Sequence, residues 1–309
     1  MSVGHFAYAN SSNRFMAAPA LLDQPFAVVG LPFDGAVSHR PGARFGPQAI
    51  RTASLMLCDG FHPHFDLSPL GHVGDAGDLL LPNASPLTQV RAHITQQTAV
   101  LMARHHCVFL GGDHSVTLAL LRAAHARFGP LALLHFDAHC DTWVDHFGEP
   151  SGHGTWTREA VQEGLVSAAH TVQIGLRSAA ERAARLYVQD QGGLMVTARQ
   201  LRGLDGAALA PVLQEIRQRI GNRPCYLTFD IDCLDPAHAP GTGTPEPGGL
   251  STSQALTFLE ELSDLNLVGM DCVEVAPAYD HAELTSNAAA TLVWTYLCGQ
   301  LAARHARGG

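Results

Sequence analysis

The sequence predicts an α/β protein, a parallel sheet with helices on both faces. Two observations carry this. Short apolar runs alternate with segments of helical periodicity through most of the chain, and the connections between them are short. A third observation agrees: three of the apolar runs end in clusters of Asp, His and Gly, and ligands of open α/β sheets bind beyond the carboxyl ends of strands.

Taken in order, residues 1–24 read as an N-terminal surface segment, with a short helix around Phe15–Leu22. Phe26–Leu31 is a buried strand. Arg40 to Pro47 is loop, rich in turn-forming Gly and Pro. Pro47 suits the first position of a helix that runs through Ile50 and Leu55. Val73–Leu81 is a short strand region with an Asp75/Asp78 loop. Pro86–His105 is helical, with Val90, Ile94, Val100 and Leu101 on one broad face. The alternation then becomes regular. Strands are expected at Cys107–Leu110, Leu131–Phe136, Thr171–Leu176, Leu194–Val196, Cys225–Phe229 and Leu267–Val273. Helices are expected at Val116–Ala126, Thr157–Glu163, Ala179–Gln191, Pro211–Ile220, Ser253–Leu262 and Thr285–Arg304. No composition shift or repeat divides the chain, so residues 1–309 read as a single catalytic domain.

Composition excludes several function classes. A net charge of −9 leaves no basic patch for nucleic acid or an anionic membrane. The chain contains no lysine, which removes Schiff-base chemistry, lysine-dependent pyridoxal phosphate enzymes and a Walker A loop. Seven scattered cysteines without a CxxC pair fit a reducing compartment. No secretory h-region and no apolar run of about 20 residues is found. The expectation is a cytoplasmic protein.

The three clusters are Gly111-Gly112-Asp113-His114, Asp137-Ala138-His139-Cys140-Asp141 and Asp230-Ile231-Asp232. Pooled, they offer two imidazoles (His114, His139) and four carboxylates (Asp137, Asp141, Asp230, Asp232). Asp113 is read as a loop or helix-cap carboxylate, and His62, His64, His93 and His125 as surface residues. The oxygen-rich N/O set suits Mn²⁺, with Ni²⁺, Co²⁺ and Zn²⁺ as weaker fits. Six ligand groups are natural for two cations with shared carboxylates. Fully extended, Asp137 and Asp141 would stand ~13 Å apart. The chain must therefore bend between them if they are to serve cations only about 4 Å apart.

These residues resemble the ureohydrolases, the family of arginase, agmatinase and related guanidino hydrolases. The matching motifs are Gly-Gly-Asp-His at 111–114, Asp-Ala-His-Cys-Asp at 137–141, His-Gly-Thr at 153–155, the run from Asp230 to Pro245, and Glu274 in Val273-Glu274-Val275-Ala276-Pro277. The resemblance covers nearly the whole chain. It implies an arginase-like three-layer α/β/α fold, two Mn²⁺ per chain, and a homo-oligomer, trimer or hexamer. One cation would take His114, Asp137, Asp141 and Asp230; the other would take His139, Asp137, Asp230 and Asp232. The family pattern gives His153 a proton-shuttle or positioning role and lets Glu274 pair with the substrate guanidinium. Asp141 would carry the proton for the leaving amine, and Thr244 would lie near the guanidinium.

The substrate is less plainly written. Arginases resemble each other in an Asn where this chain has Trp143, and in an acidic residue after the Gly-Leu-Arg turn where it has Ser178-Ala179-Ala180. The stretch Val268 to Asp280 resembles agmatinases instead. That implies hydrolysis of agmatine to putrescine and urea, with Trp143, Asp145, Glu149 and Tyr279 as candidates to border the substrate tail. The rival is a guanidino-acid hydrolase, for example of 4-guanidinobutyrate, whose carboxylate would call on Arg40, Arg44 or Arg158. Further alternatives are a single-Zn²⁺ deacetylase-type amidohydrolase and a non-catalytic binding protein with the same fold.

Overall fold

The computed structural model describes residues 13–82 and 84–308. Residues 1–12 of the expected surface segment lie outside them. The described strands are β1 Phe26–Gly30, β2 Val73–Asp78, β3 His106–Leu110, β4 Leu131–Phe136, β5 Val166–Leu176, β6 Leu194–Thr197, β7 Cys225–Asp230 and β8 Leu267–Val273. They form one eight-stranded sheet in the order β2-β1-β3-β8-β7-β4-β5-β6. Every pairing is parallel.

Helices cover both faces, as parallel sheets require. They are α1 Gly46–Ser54, α2 Leu87–Met102, α3 Thr117–Phe128, α4 Trp156–Gln162, α5 Arg182–Arg185, α6 Ala198–Leu201, α7 Ala210–Ile220, α8 Thr252–Glu261 and α9 Leu284–Ala306. Alternate strand residues feed two cores. Phe26, Val28, Leu134 and Phe136 pack with α1, α7, α8 and α9 side chains such as Ile50, Ile216, Phe258 and Tyr296. Ala27, Val29, Phe109 and Leu133 pack with Val90 and Ile94 of α2, Leu120 of α3 and Trp156 of α4. The three-layer α/β/α expectation is met.

The four central strands, β3-β8-β7-β4, position the site. Their carboxyl ends deliver His114, Glu274, Asp230 and Asp137 side by side, although the residues are far apart in sequence.

Local expectations differ from the structure in several places. Phe15–Leu22 is not a helix but a single 3₁₀ turn, Phe15–Ala17. Phe15 and Met16 are buried there, because Asp75 Oδ2 and Ser54 Oγ accept their backbone N–H groups. Asp75 and Asp78 belong to β2 rather than to a loop. Asp75 can be buried because Arg51 of α1 pairs with it through Nε and Nη2. The helix expected at Ala179–Gln191 is cut to α5 and a 3₁₀ turn at Gln189–Gln191, which Gly192 closes at φ 88°. His62 is buried, with its ring 4.5 Å from that of Trp294 and Nε2 3.2 Å from Thr295 Oγ1.

Candidate metal centre

The chain leaves β3 through Gly111-Gly112. A Cβ at Gly112 would sit 1.6 Å from the Phe33 carbonyl oxygen, so only glycine permits this crossing. Asp113 then caps the next turn, accepting from Ser115 N at 2.9 Å and from Ala36 N at 2.8 Å. It takes the structural role read from the sequence and turns His114 inward.

Beyond β4 the chain bends as the ligand spacing demanded. Asp137 Oδ1 accepts from His139 N at 2.6 Å, and Asp141 adopts φ 51°, in the left-handed region. The result is a constellation around His114 Nδ1. Asp137 Oδ2, Asp141 Oδ2 and Asp230 Oδ2 lie 3.1, 3.2 and 3.1 Å from it. A second constellation surrounds His139 Nδ1, with Asp232 Oδ2 at 3.0 Å and Asp137 Oδ1 at 3.3 Å. Asp137 thus gives one oxygen to each. Asp230 enters the first through Oδ2, while its Oδ1 accepts from Asp232 N at 2.8 Å. Ala138 N and Thr244 Oγ1 hold Asp232 from the other side.

The donor set fits cations on a direct observation. His114 Nδ1 is fully buried and makes no hydrogen bond, although three carboxylate oxygens surround it. Its other nitrogen is committed: Thr228 Oγ1, 2.8 Å away, donates onward to Asp271 Oδ1 at 2.5 Å and so accepts from His114 Nε2. Nδ1 is left facing concentrated negative charge with no protein cation beside it. Burial pushes Asp230 well above the usual carboxylate range, helped by Asp232 and Asp137. Burial would lower His139, but Asp232 and Asp137 hold it well above its ordinary value. Buried carboxylates crowded in this way call for metal or protons.

Glu274 follows β8 and also lies in the left-handed region, at φ 63°. Non-glycine residues held there cost about 1–3 kcal/mol and cluster at functional sites. Its Oε1 accepts from His114 N at 2.8 Å and faces His153 Nδ1 at 3.0 Å. Burial opposes the charged form of His153, but the Glu274 carboxylate outweighs it and holds the ring up at about 9. The Ser38 N–H, 3.1 Å from Nε2, pulls the other way, since it needs a lone pair there.

A cavity of about 350 Å³ opens onto both constellations. His139, Asp141 and Asp230 line it together with His153 and Thr244, and the loop after β4 adds Trp143, Asp145, His146 and Phe147. Glu149 and Tyr279 are not among its lining residues. Nor are the three candidate arginines. Arg44 pairs with Asp34, Arg158 lies over the Tyr187 ring at 4.0 Å, and Arg40 over Tyr279 at 5.2 Å.

Four buried polar residues escaped the sequence reading. His135 and Gln173 lie behind Asp137, and Thr228 and Asp271 behind His114. For His135, Thr228 and Asp271 a signal was available, since each is a polar residue inside a mainly apolar, buried run; Gln173 shares β5 with Ser167, His170 and Thr171 and does not stand out.

The family model "Arginase family" matches residues 24–299. An agmatinase of Chromobacterium violaceum is 45% identical over 282 residues, covering 88% of this chain and 82% of that protein. The crystal structure of a hypothetical agmatinase from Burkholderia thailandensis superposes with a TM-score of 0.86 at 39% identity, covering 96% of this chain and 92% of that one. Proclavaminate amidino hydrolase from Streptomyces clavuligerus does so with a TM-score of 0.88 at 36% identity, covering 96% and 99%.

Proposed function

The chain belongs to the arginase family, ureohydrolases that act on small guanidino compounds at binuclear metal centres, and from that premise we propose that it hydrolyses agmatine to putrescine and urea. The observation that carries the substrate choice is the cavity wall. It offers Asp145 and the aromatic faces of Trp143 and Phe147, and no arginine. An ammonium tail is held by a carboxylate and by aromatic rings. A guanidino acid would bring its carboxylate toward Asp145, on a wall without an arginine.

His114, Asp137, Asp141 and Asp230 would hold one cation, and His139, Asp137, Asp230 and Asp232 the other. The N/O donor set supports Mn²⁺, two per chain. When bound, such a pair lowers the pKa of water and supplies the nucleophile that a resonance-stabilised guanidinium requires. The chain's own residues do the rest. Glu274 Oε1 is held by His114 N and faces His153, so Oε2 is left to orient the substrate's planar N–H edge. Asp141 Oδ2 accepts from Trp156 Nε1 at 2.6 Å, leaving Oδ1 to carry a proton to the leaving amine. His153, at the cavity wall beside Ser38, exchanges protons with solvent. Trp143 and Thr244 border the substrate, and Thr244 steadies Asp232.

The reading extends to a single catalytic domain, a homotrimer or hexamer, and the cytoplasm. Among the described residues no helix is long and apolar enough to cross a membrane. Urea release from agmatine, 4-guanidinobutyrate, arginine and guanidine, compared side by side with Mn²⁺ loaded, tests the substrate. Agmatine is expected to be fastest. A rate below roughly a tenth of the best substrate's would overturn the choice.

A further inference from the structure

Behind Asp137 lies a chain of buried polar groups whose hydrogen-bond directions can be worked out from one end. Gln173 Nε2 is 2.8 Å from the Cys140 carbonyl oxygen and 3.1 Å from His135 Nδ1. His135 Nε2 is 2.8 Å from Asp137 Oδ2. His135, Gln173 and Asp137 are each at most 1% exposed, and Cys140 is 3% exposed.

A carbonyl oxygen can only accept, so the amide nitrogen, not the amide oxygen, must face Cys140. The same nitrogen then offers its second hydrogen to His135 Nδ1, which must accept it. The proton of the imidazole is thereby confined to Nε2, where it is donated to Asp137 Oδ2. Each step fixes the next. Flipping the amide would set two carbonyl oxygens against each other, and moving the imidazole proton to Nδ1 would set two donors against each other. Cys140 itself lies between His139 and Asp141, so the chain of bonds closes back onto the ligand segment.

We propose that His135 and Gln173 are positioning residues that hold Asp137, the carboxylate shared by both constellations, in its cation-ready orientation through a fixed imidazole tautomer. The inference rests on the metal reading of the cluster. A neutral ring serves this purpose better than arginine or lysine would, because it donates to the shared carboxylate without placing a competing positive charge beside the cations. Gln173 touches no candidate ligand side chain and acts through His135 and through the Cys140 carbonyl oxygen. Outer-shell partners of this kind change metal affinity by about 10–100-fold when removed.

The test is Mn²⁺ binding to the metal-free protein by calorimetry, for wild type, His135→Phe, Gln173→Met and the double variant. Thermal melts of the metal-free forms check folding. His135→Phe should weaken Mn²⁺ about 10–100-fold. Gln173→Met should weaken it less, and the double variant should lose less than the sum of the two single losses, because residues in one hydrogen-bonded chain are not additive. Additive losses would overturn the relay. So would variants that melt earlier yet bind Mn²⁺ like wild type. If His135→Phe does not fold, Gln173→Met decides alone, and unchanged affinity there overturns the proposal. Failure of wild type to bind Mn²⁺ would instead sink the metal reading itself, and the relay with it.

Discussion

The shared side chain Asp137 shows how much a single residue does here. It accepts from His135 and from His139 N, and it faces two imidazole nitrogens with two different oxygens. Asp232 has a narrower task, beside His139 alone. Asp232→Ala should therefore keep the fold, weaken one cation, and cut urea release by about two orders of magnitude or more; near-normal turnover would falsify the binuclear assignment. The same crowding sets a pH dependence. Asp230 and His139 are both held above their ordinary values in the metal-free protein, so each keeps its proton to higher pH than usual. A cation must displace those protons. Mn²⁺ affinity should rise with pH, and calorimetry in buffers of different ionisation enthalpy should register net proton release. Binding that releases none would contradict the cluster as described.

At the scale of elements, what was legible depended on where the information lies. His114, Asp137, His139, Asp141, Asp230 and Asp232 stand at strand ends in short motifs, where spacing along the chain carries the signal. Asp271 finds Thr228 only because β7 and β8 pair in that register. Gln173 finds His135 only because β5 lies beside β4 in register. Cross-strand partnership leaves no trace in spacing, so these residues read as incidental polar positions. The helix expected at Ala179–Gln191 failed for a related reason: Leu186 and Val188 are drawn into the interior, which local periodicity does not specify. Arg91 of α2 is a further tertiary tie. It donates to the Ser115 carbonyl at 2.9 Å, to Ser151 Oγ at 2.5 Å, and to Glu159 of α4 at 3.1 Å. It so joins the turn after His114 to the loop before His153. Arg91→Met should destabilise the protein by about 2 kcal/mol, less than a fully buried pair because Glu159 is partly exposed. Urea unfolding measures this, and a change within about 0.5 kcal/mol would show the tie to be idle.

Over the whole molecule, the cluster trades stability for function. Asp230 and Asp232, both buried and held above the usual carboxylate range, favour unfolding until cations arrive, and only the folded chain brings the ligand groups together. Chelation should lower the melting temperature, and added Mn²⁺ should restore it in a concentration-dependent way. A site filled at about 100 times its dissociation constant adds about 2.7 kcal/mol. A melting temperature indifferent to chelator would remove the cluster from the stability argument. The strand order has a consequence for the site as well. β8 lies between β3 and β7, yet it comes last in sequence among the described strands. Without β8, no strand pairing in this order joins β2-β1-β3 to β7-β4-β5-β6. His114 hangs from one and the Asp137 and Asp230 clusters from the other. His114 is therefore joined to the Asp137 and Asp230 clusters only once β8 lies between the two half-sheets.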